Sequence, residues 1–273
     1  MTIIKAFIKR ARLPLMDSYL QAHIRELSER AQNQNVVTAT PFLDLPTIAL
    51  LNREIANGKF HGTPCLFFGG CSDFERARLV FLPDYLDEAS FLAGEKESPT
   101  LVSCLRISPR GGSFAKTLTH RDYLGALMAL GIKRETLGDL RIEGNEARLY
   151  LLPEIRKTIE DELANVSTEE VEIQAEPLFS PGFSLQFREE VLSLASLRLD
   201  AVLAQAFPFS RGQAEAQIEA GNVLHNGEIA SRGDRLVGEG DVVSCRRQGK
   251  ILLMAEEGHS RKGRMLIRIR RYL

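Results

Sequence analysis

Asn226-Gly227 stands between Val223-Leu224-His225 and Glu228-Ile229, and a two-residue Asn-Gly connection favours the left-handed backbone of a tight antiparallel hairpin. What precedes it narrows the fold further. Ser210-Arg211-Gly212-Gln213 has Ser and Gln three apart, the reciprocal capping pattern of a helix start. Ala214, Ala216, Ile218 and Ala220 follow, and Gly221 supplies the stop. Upstream, Arg198-Leu199-Asp200 leads into Ala201, Val202, Leu203 and Ala206, a helical run ended by Phe207-Pro208. Downstream, Gly240-Asp241 precedes a strand over Val242–Arg246. The sequence therefore predicts two short helices feeding a small twisted sheet.

This region is also where the charge gathers. The 273 residues carry a net charge of −1, but residues 197–273 hold 13 Lys+Arg against 9 Asp+Glu, a local +4 on a body of −5. Eleven of the 13 are Arg, whose planar fork grips phosphate through paired hydrogen bonds. A basic module on an acidic body points to a polyanionic partner. Arg198 opens one helix and Arg211 lies in the first turn of the next, where unpaired N–H groups favour an anion. Arg232, Arg235, Arg246, Arg247 and Lys250 come from sheet turns expected beside that helix end. With Ser210 they form the expected contact set, recognising backbone phosphate with little built-in sequence reading. Singly, a salt bridge from Arg198 to Asp200, or a plain surface charge at Arg211, explains each as well.

Before this module, helical spacing runs from Asp17 to Gln32, with Asp17 or Ser18 as cap. A strand at Val36–Ala39, a helix from Asp44 to Ala56, and strands Pro64–Phe68 and Arg78–Leu82 complete a small αβ unit over residues 1–85. From 86 to 183 the order is strand Leu101–Ile107, helix Arg121–Leu130, strands Leu140–Glu143 and Ala147–Leu151, helix Glu154–Leu163 and strand Val171–Ile173. This βαββαβ order is that of ferredoxin-like and RRM-like folds, which serve many functions. The sheet has one aromatic in its first and third strands, Tyr150, and so lacks the stacking cluster of an RNA-recognition motif. Glu176–Phe187, with Pro177, Pro181 and Gly182, reads as a linker to the last domain, 184–273. The class is α+β.

Within the middle segment, Thr119 caps a helix whose third residue is Asp122, and Gly131 ends it. His120 and Arg121 then face outward near Lys133 and Arg134, a second contact for RNA or protein. Capping alone explains Thr119, Asp122 and Gly131 equally well. In the last segment, Leu266–Arg270 alternates apolar and basic residues after Arg261-Lys262-Gly263-Arg264. That alternation suits a half-buried strand that either extends the basic surface or forms a charged sheet edge.

Arg198-Leu199-Asp200, Ser210-Arg211, Ala214, Ile218, Gly221, Val223, Asn226-Gly227 and Gly240-Asp241 together resemble the S-four-type RNA-binding domain, or alpha-L motif. The Lys-Pro-Ser usual in that domain is replaced by Ser231-Arg232-Gly233. Leu118-Thr119-His120-Arg121-Asp122-Tyr123-Leu124-Gly125, continuing to Glu135 and Gly138-Asp139, resembles the signature of YlmH-type proteins, among which a plant and cyanobacterial subgroup is labelled photosystem II S-four domain proteins. The resemblance implies binding to rRNA and tRNA on the large ribosomal subunit, in ribosome-associated quality control of stalled peptidyl-tRNA, alongside other quality-control factors.

Signatures of catalysis are missing. There is no phosphate-binding Gly-Lys-Ser/Thr loop, Gly-x-Gly-x-x-Gly turn, His-Glu-x-x-His helix or Gly-x-Ser-x-Gly elbow. His23, His61, His120, His225 and His259 are scattered, and Cys65, Cys71, Cys104 and Cys245 form no zinc-like pairs. No catalytic residue, metal or cofactor is expected. Asp84, Asp87 and Glu88 read as solvated charges. The rival is an RNA-modifying enzyme, pseudouridine synthase-like or rRNA methyltransferase-like, docking through the S-four domain. Against it, only residues 251–273 follow Lys250, and neither a methyltransferase cofactor cradle nor the nucleotide-binding motifs of a tyrosyl-tRNA synthetase are found. A structural ribosomal or photosystem-associated component is a third reading. The start MTIIKAFIKRARLP has no cleavage-site pattern and no apolar run spans a bilayer, so a cytoplasmic chain, monomeric when free and without membrane contact, is expected.

Overall fold

The computed structural model describes residues 18–58, 62–112, 115–183 and 187–272. The start MTIIKAFIKRARLP, Asp17 and His61 lie outside the described residues, as does the side chain of Ser18. Two compact units divide the chain. One is built from 18–44 with 57–183, the other from Leu45–Ala56 with 187–272. The contacts thus place the expected first αβ unit, apart from residues 45–56, in one body with the βαββαβ segment.

In the first unit, α1 (Ser18–Gln34) lies by a three-stranded sheet of order β1-β3-β2, formed by Thr38–Ala39, Arg78–Phe81 and Cys65–Phe68. Ile24, Leu27 and Ala31 are the buried stripe of α1. A helix the sequence did not suggest, α3 (Glu88–Glu97), follows. Asp87, read as a solvated charge, is its N-cap and accepts the Ser90 N–H at 2.7 Å. Glu95 turns inward, accepting from the backbone N–H groups of Thr100 and Leu101.

The βαββαβ order is then as expected: β4 (Ser103–Pro109), α4 (His120–Ala129), β5 (Leu137–Glu143), β6 (Glu146–Leu151), α5 (Pro153–Glu162) and β8 (Glu169–Glu176), with β7 (Asn165–Val166) as a short addition. Sheet order β5-β6-β4-β8-β7, antiparallel throughout, sets β6 between β4 and β5, the split arrangement of ferredoxin-like folds. One core runs under α4 and α5 through Leu105, Ile107, Tyr123, Leu127, Leu149 and Ile159. A second joins Phe42, Phe68 and Val80 to Val102, Cys104 and Tyr150, which is why the first sheet and this one form a single body.

The second unit is a six-stranded sheet of order β11-β10-β12-β13-β14-β9. Its strands are Glu228–Ile229, Val223–His225, Val242–Cys245, Gly249–His259, Met265–Tyr272 and Phe187–Leu194. Helices α6 (Leu199–Ala206) and α7 (Arg211–Glu219) cover it, and Val202, Leu203, Ile218, Val223, Val243, Ile251 and Ile267 fill the space between. Asn226 and Gly227 have φ of 53° and 79°, the left-handed pair the hairpin requires. Helix α2 (Leu45–Ala56) closes on this hairpin so tightly that a Cβ on Gly227 would stand 2.8 Å from the Leu45 carbonyl oxygen.

Strands β9 and β13 exceed the sequence reading. β14 is present where the alternation placed it, but β9 pairs along its whole outer side, so it is not a sheet edge. Nor does it extend a basic face: Glu189 takes Arg270 and Arg268, Glu190 takes Arg271, and Glu257 takes Arg268.

Candidate nucleic-acid interface

The segment 233–237 runs antiparallel to 197–200. The Leu199 N–H donates to the Arg235 carbonyl, Asp200 N–H to the Gly233 carbonyl, and Val237 N–H to the Leu197 carbonyl, all within 3.0 Å. Gly233 permits this approach, since a Cβ there would meet the Asp200 Cβ at 3.0 Å and the Ile218 side chain at 3.4 Å. The Ser231-Arg232-Gly233 replacement therefore presses the loop against the start of α6.

Asp200 organises what faces outward. Its side chain is 0% exposed, yet its carboxylate accepts from Arg198 Nη2 at 2.6 Å and Nε at 3.2 Å, and from Arg211 Nη2 at 3.3 Å. Burial alone would raise this carboxyl; the bonds and charges of Arg198 and Arg211 hold it below the ordinary carboxylate range. The two guanidinium groups keep further N–H donors toward solvent, with side-chain exposures of 38% and 58%. The salt bridge thus holds both guanidinium groups without covering them. Arg211 also begins α7, whose cap forms as the sequence indicated: Ser210 N–H donates to Gln213 Oε1 at 2.8 Å, and Gln213 N–H to Ser210 Oγ at 3.3 Å. Ser210 is occupied as a cap.

Arg232 lies on the adjoining loop, exposed and held bidentate by Asp234. Arg235 is largely covered and faces Glu228 at 3.8 Å. Leu236, 70% exposed and bridged through its backbone to Arg198, adds an apolar spot beside the fork that charge-based reading passed over. Arg246 and Arg247 are elsewhere. The Arg246 N–H bonds to Asn222, just past the end of α7, so they lie about 13 Å along the helix from Arg211 by the rise of nine residues. Arg247 adopts φ 66° with its side chain exposed. Lys250 sits on the next strand with Nζ 4.1 Å from the Tyr272 ring centroid.

Behind the site, Asp241 accepts from His225 Nε2, Asn226 Nδ2 and the Gly238 N–H at 2.7–2.8 Å. Burial works to raise its carboxyl, but these bonds prevail and lower it. Asn226 Oδ1 also takes the Val242 N–H at 2.7 Å, tying the hairpin to the next strand. Gly240-Asp241 therefore serves the fold.

In the other unit, Thr119 and Asp122 form a reciprocal cap at the start of α4. His120 and Arg121 are exposed beside it, and partial loss of solvent together with the Arg134 charge lowers the His120 pKa. Lys133 is exposed, but Arg134 donates to the Leu137 carbonyl at 2.9 Å and is partly buried. Its neighbour Arg76 donates to the Leu137, Phe42 and Arg134 carbonyls. Asp139 is buried and accepts the Glu75 and Arg76 N–H groups at 2.8–3.2 Å. The Gly138-Asp139 phrase thus fixes the loop at 75–76, where a Gly138 Cβ would strike Phe42 at 2.7 Å.

Among the described residues no group of His, Cys, Asp and Glu has the disposition of a metal site, and no helix is long and apolar enough to cross a membrane. Burial pushes the Cys65 thiol up to about 11 and those of Cys71 and Cys104 up to about 12, away from nucleophilic use at neutral pH.

Two short helices on a small sheet, the second of them capped, with a carboxylate-organised arginine pair at their starts, make up the part of the chain that matches an RNA-binding domain. Residues 197–243 match the "S4 domain" family model. Residues 112–180 match "Putative RNA-binding domain in YlmH", so the chain carries two domains with RNA-binding family models. It is 28% identical over 245 residues to the "Ribosome-associated protein quality control protein P2" of Bacillus subtilis (strain 168), spanning 88% of this chain and 89% of that one. A solved structure, "Cell division protein ylmH from Streptococcus pneumoniae", is 16% identical with a TM-score of 0.48, covering 62% of this chain and 96% of that chain.

Proposed function

We propose that this protein is a non-catalytic RNA-binding factor that docks on rRNA and tRNA at the large ribosomal subunit, in the cytoplasm, and acts in ribosome-associated quality control of stalled peptidyl-tRNA complexes. The observation that carries the reading is the pair Arg198 and Arg211 on the buried Asp200 carboxylate. A fork held in advance loses little side-chain freedom on meeting phosphate and needs no base to read. Arg232, Arg246, Arg247 and Lys250 extend the contact around both ends of α7, and Arg235 and Ser210 support it from behind. His120, Arg121 and Lys133, with Arg134 at their base, give the domain at 112–180 its own contact to RNA. The name of the Bacillus relative supplies the setting, the ribosome and its quality control.

The test is sedimentation of the tagged full chain from lysate over sucrose gradients, with RNA crosslinking and sequencing, for the unmutated protein and Arg198→Glu/Arg211→Glu. Co-migration with free large subunits and peptidyl-tRNA, lost in the double variant, supports the reading. Absence from ribosomal fractions, with crosslinks to one free RNA, overturns it in favour of RNA modification or regulation.

A further inference from the structure

Most arginines of the second unit are already matched to carboxylates: Arg198 and Arg211 to Asp200, Arg232 to Asp234, Arg268 to Glu257 and Glu189, Arg270 to Glu189 and Arg271 to Glu190. Arg261, Lys262 and Arg264 are different. They form the turn joining β13 to β14, all three are exposed, and no carboxylate among the described residues pairs with them.

The turn is built to hold its shape. The Ser260 N–H donates to the Arg264 carbonyl at 2.7 Å, the Gly263 N–H to the Ser260 carbonyl at 2.9 Å, and the Arg264 N–H to Ser260 Oγ at 3.1 Å. Gly263 takes φ 72°, which the turn requires. Beneath it β13, β14 and β9 stay paired as a three-stranded arm, out to His259 opposite Met265 and Met265 opposite Leu194. Along this arm Glu257 pairs with Arg268, and Glu256 stands 3.7 Å from the His259 ring. At the end of the arm, three cations thus stand together with no carboxylate of the described residues paired to them.

We infer that the β13–β14 turn is a second phosphate-backbone contact, made by Arg261, Lys262 and Arg264, that grips the same structured RNA as the Asp200-held fork. The inference rests on the RNA-binding reading above and reaches outside both matched domains, which end at residues 180 and 243. Leu253 is hydrogen-bonded in both directions to the Gly240-Asp241 segment of the module, and from there to His259 the strand advances about 20 Å at its usual rise. A contact that far out suits a long polyanion, not a small anion. The turn also has no exposed large apolar residue between Gly258 and Met265, whereas a protein interface centres on aromatic or aliphatic anchors and a membrane-surface segment buries apolar side chains.

The full chain and its Arg261→Gln/Lys262→Gln/Arg264→Gln and Arg211→Gln variants would be titrated by fluorescence anisotropy with a labelled, structured RNA duplex over a salt series, and with vesicles of phosphatidylglycerol and phosphatidylcholine. The triple variant is expected to bind the RNA about tenfold or more weaker at low salt, with a slope of log affinity against log salt shallower by about two. Its unfolding transition should stay that of the unmutated chain. Acylation of Lys262 in the unmutated protein should be slowed by the RNA, a readout that needs no substitution. Unchanged slope and unprotected Lys262, while Arg211→Gln still weakens binding, overturn the turn contact alone. Indifference of both variants overturns it together with the RNA-binding reading. Loss confined to vesicle binding also overturns it.

Discussion

Arg211, in the first turn of α7, donates to the fully buried carboxylate of Asp200 in the first turn of α6. On the function proposed above, a negative charge therefore sits at the centre of the surface that meets RNA. Asp200→Asn removes that charge and by simple Coulomb reasoning should tighten RNA binding. We expect the reverse. Without the carboxylate, Arg198 and Arg211 lose their common anchor, affinity falls by about three- to tenfold, and stability falls by about 1–3 kcal/mol through the lost buried bonds. Filter binding and thermal unfolding of the same preparation check both numbers.

Arg211→Glu should weaken binding to many RNAs without reordering them. Replacing one phosphate contact predicts a salt slope shallower by about one for the neutral Arg211→Gln. A competition assay against a panel of unrelated RNAs reads the ranking; a changed order would mean that Arg211 reads bases.

Arg247 keeps φ 66°, a backbone state that costs a residue with a Cβ about 1 kcal/mol or more. Arg247→Gly should therefore leave stability unchanged or raise it by up to about 1 kcal/mol while lowering RNA affinity. Denaturant melts and binding curves moving in opposite directions would show that strain is retained there for its charge.

Gly227→Ala meets two obstacles, the left-handed φ of 79° and the Leu45 carbonyl oxygen at 2.8 Å. A loss of about 2–4 kcal/mol is expected, above the usual cost of a turn glycine, because α2 must move as well. Hydrogen exchange should show α2 amides losing protection together with the hairpin.

Glu190 is held at about 2 by hydrogen bonds from Arg271 and Arg188, working against partial burial. A depressed carboxyl stabilises the fold above its unfolded pKa, near the ordinary 4.5, and that share is lost as pH falls toward 2. With solvent screening the share is about 1 kcal/mol. Glu190→Gln should therefore lower the melting temperature at pH 7 and lose most of its effect near pH 2.

What the sequence made legible follows from how local each signal is. The caps at Thr119 and Ser210, the Asn226-Gly227 turn and the βαββαβ order depend on neighbours a few residues apart, and all formed as expected. Helix α3 escaped notice because an inward-facing position is Glu95, whose buried carboxylate breaks the apolar stripe. β13 escaped because Ile251, Leu252 and Leu253 are buried in succession, so no alternation marks a strand. The arginines of β14 looked basic because the glutamates that neutralise them lie about eighty residues earlier, on β9. In the site, the Arg198–Asp200–Arg211 cluster was approachable from helix starts alone. The position of Arg246 and Arg247 at the far end of α7 was not, since it follows from a bond between Arg246 and Asn222 that only the folded sheet creates.

Helix α2 gives this module a history as well as a shape. It leaves the ribosome long before the hairpin it covers, from which it is separated by residues 57–222. At roughly 5–20 residues per second, translation imposes a wait of several seconds to about half a minute before Leu45 can meet Gly227. During that interval Leu45 and Ala49 lack the Gly227 turn that they meet in the finished protein. The body thus ties α2 to a hairpin made long after it, and a chain released before that hairpin cannot complete it.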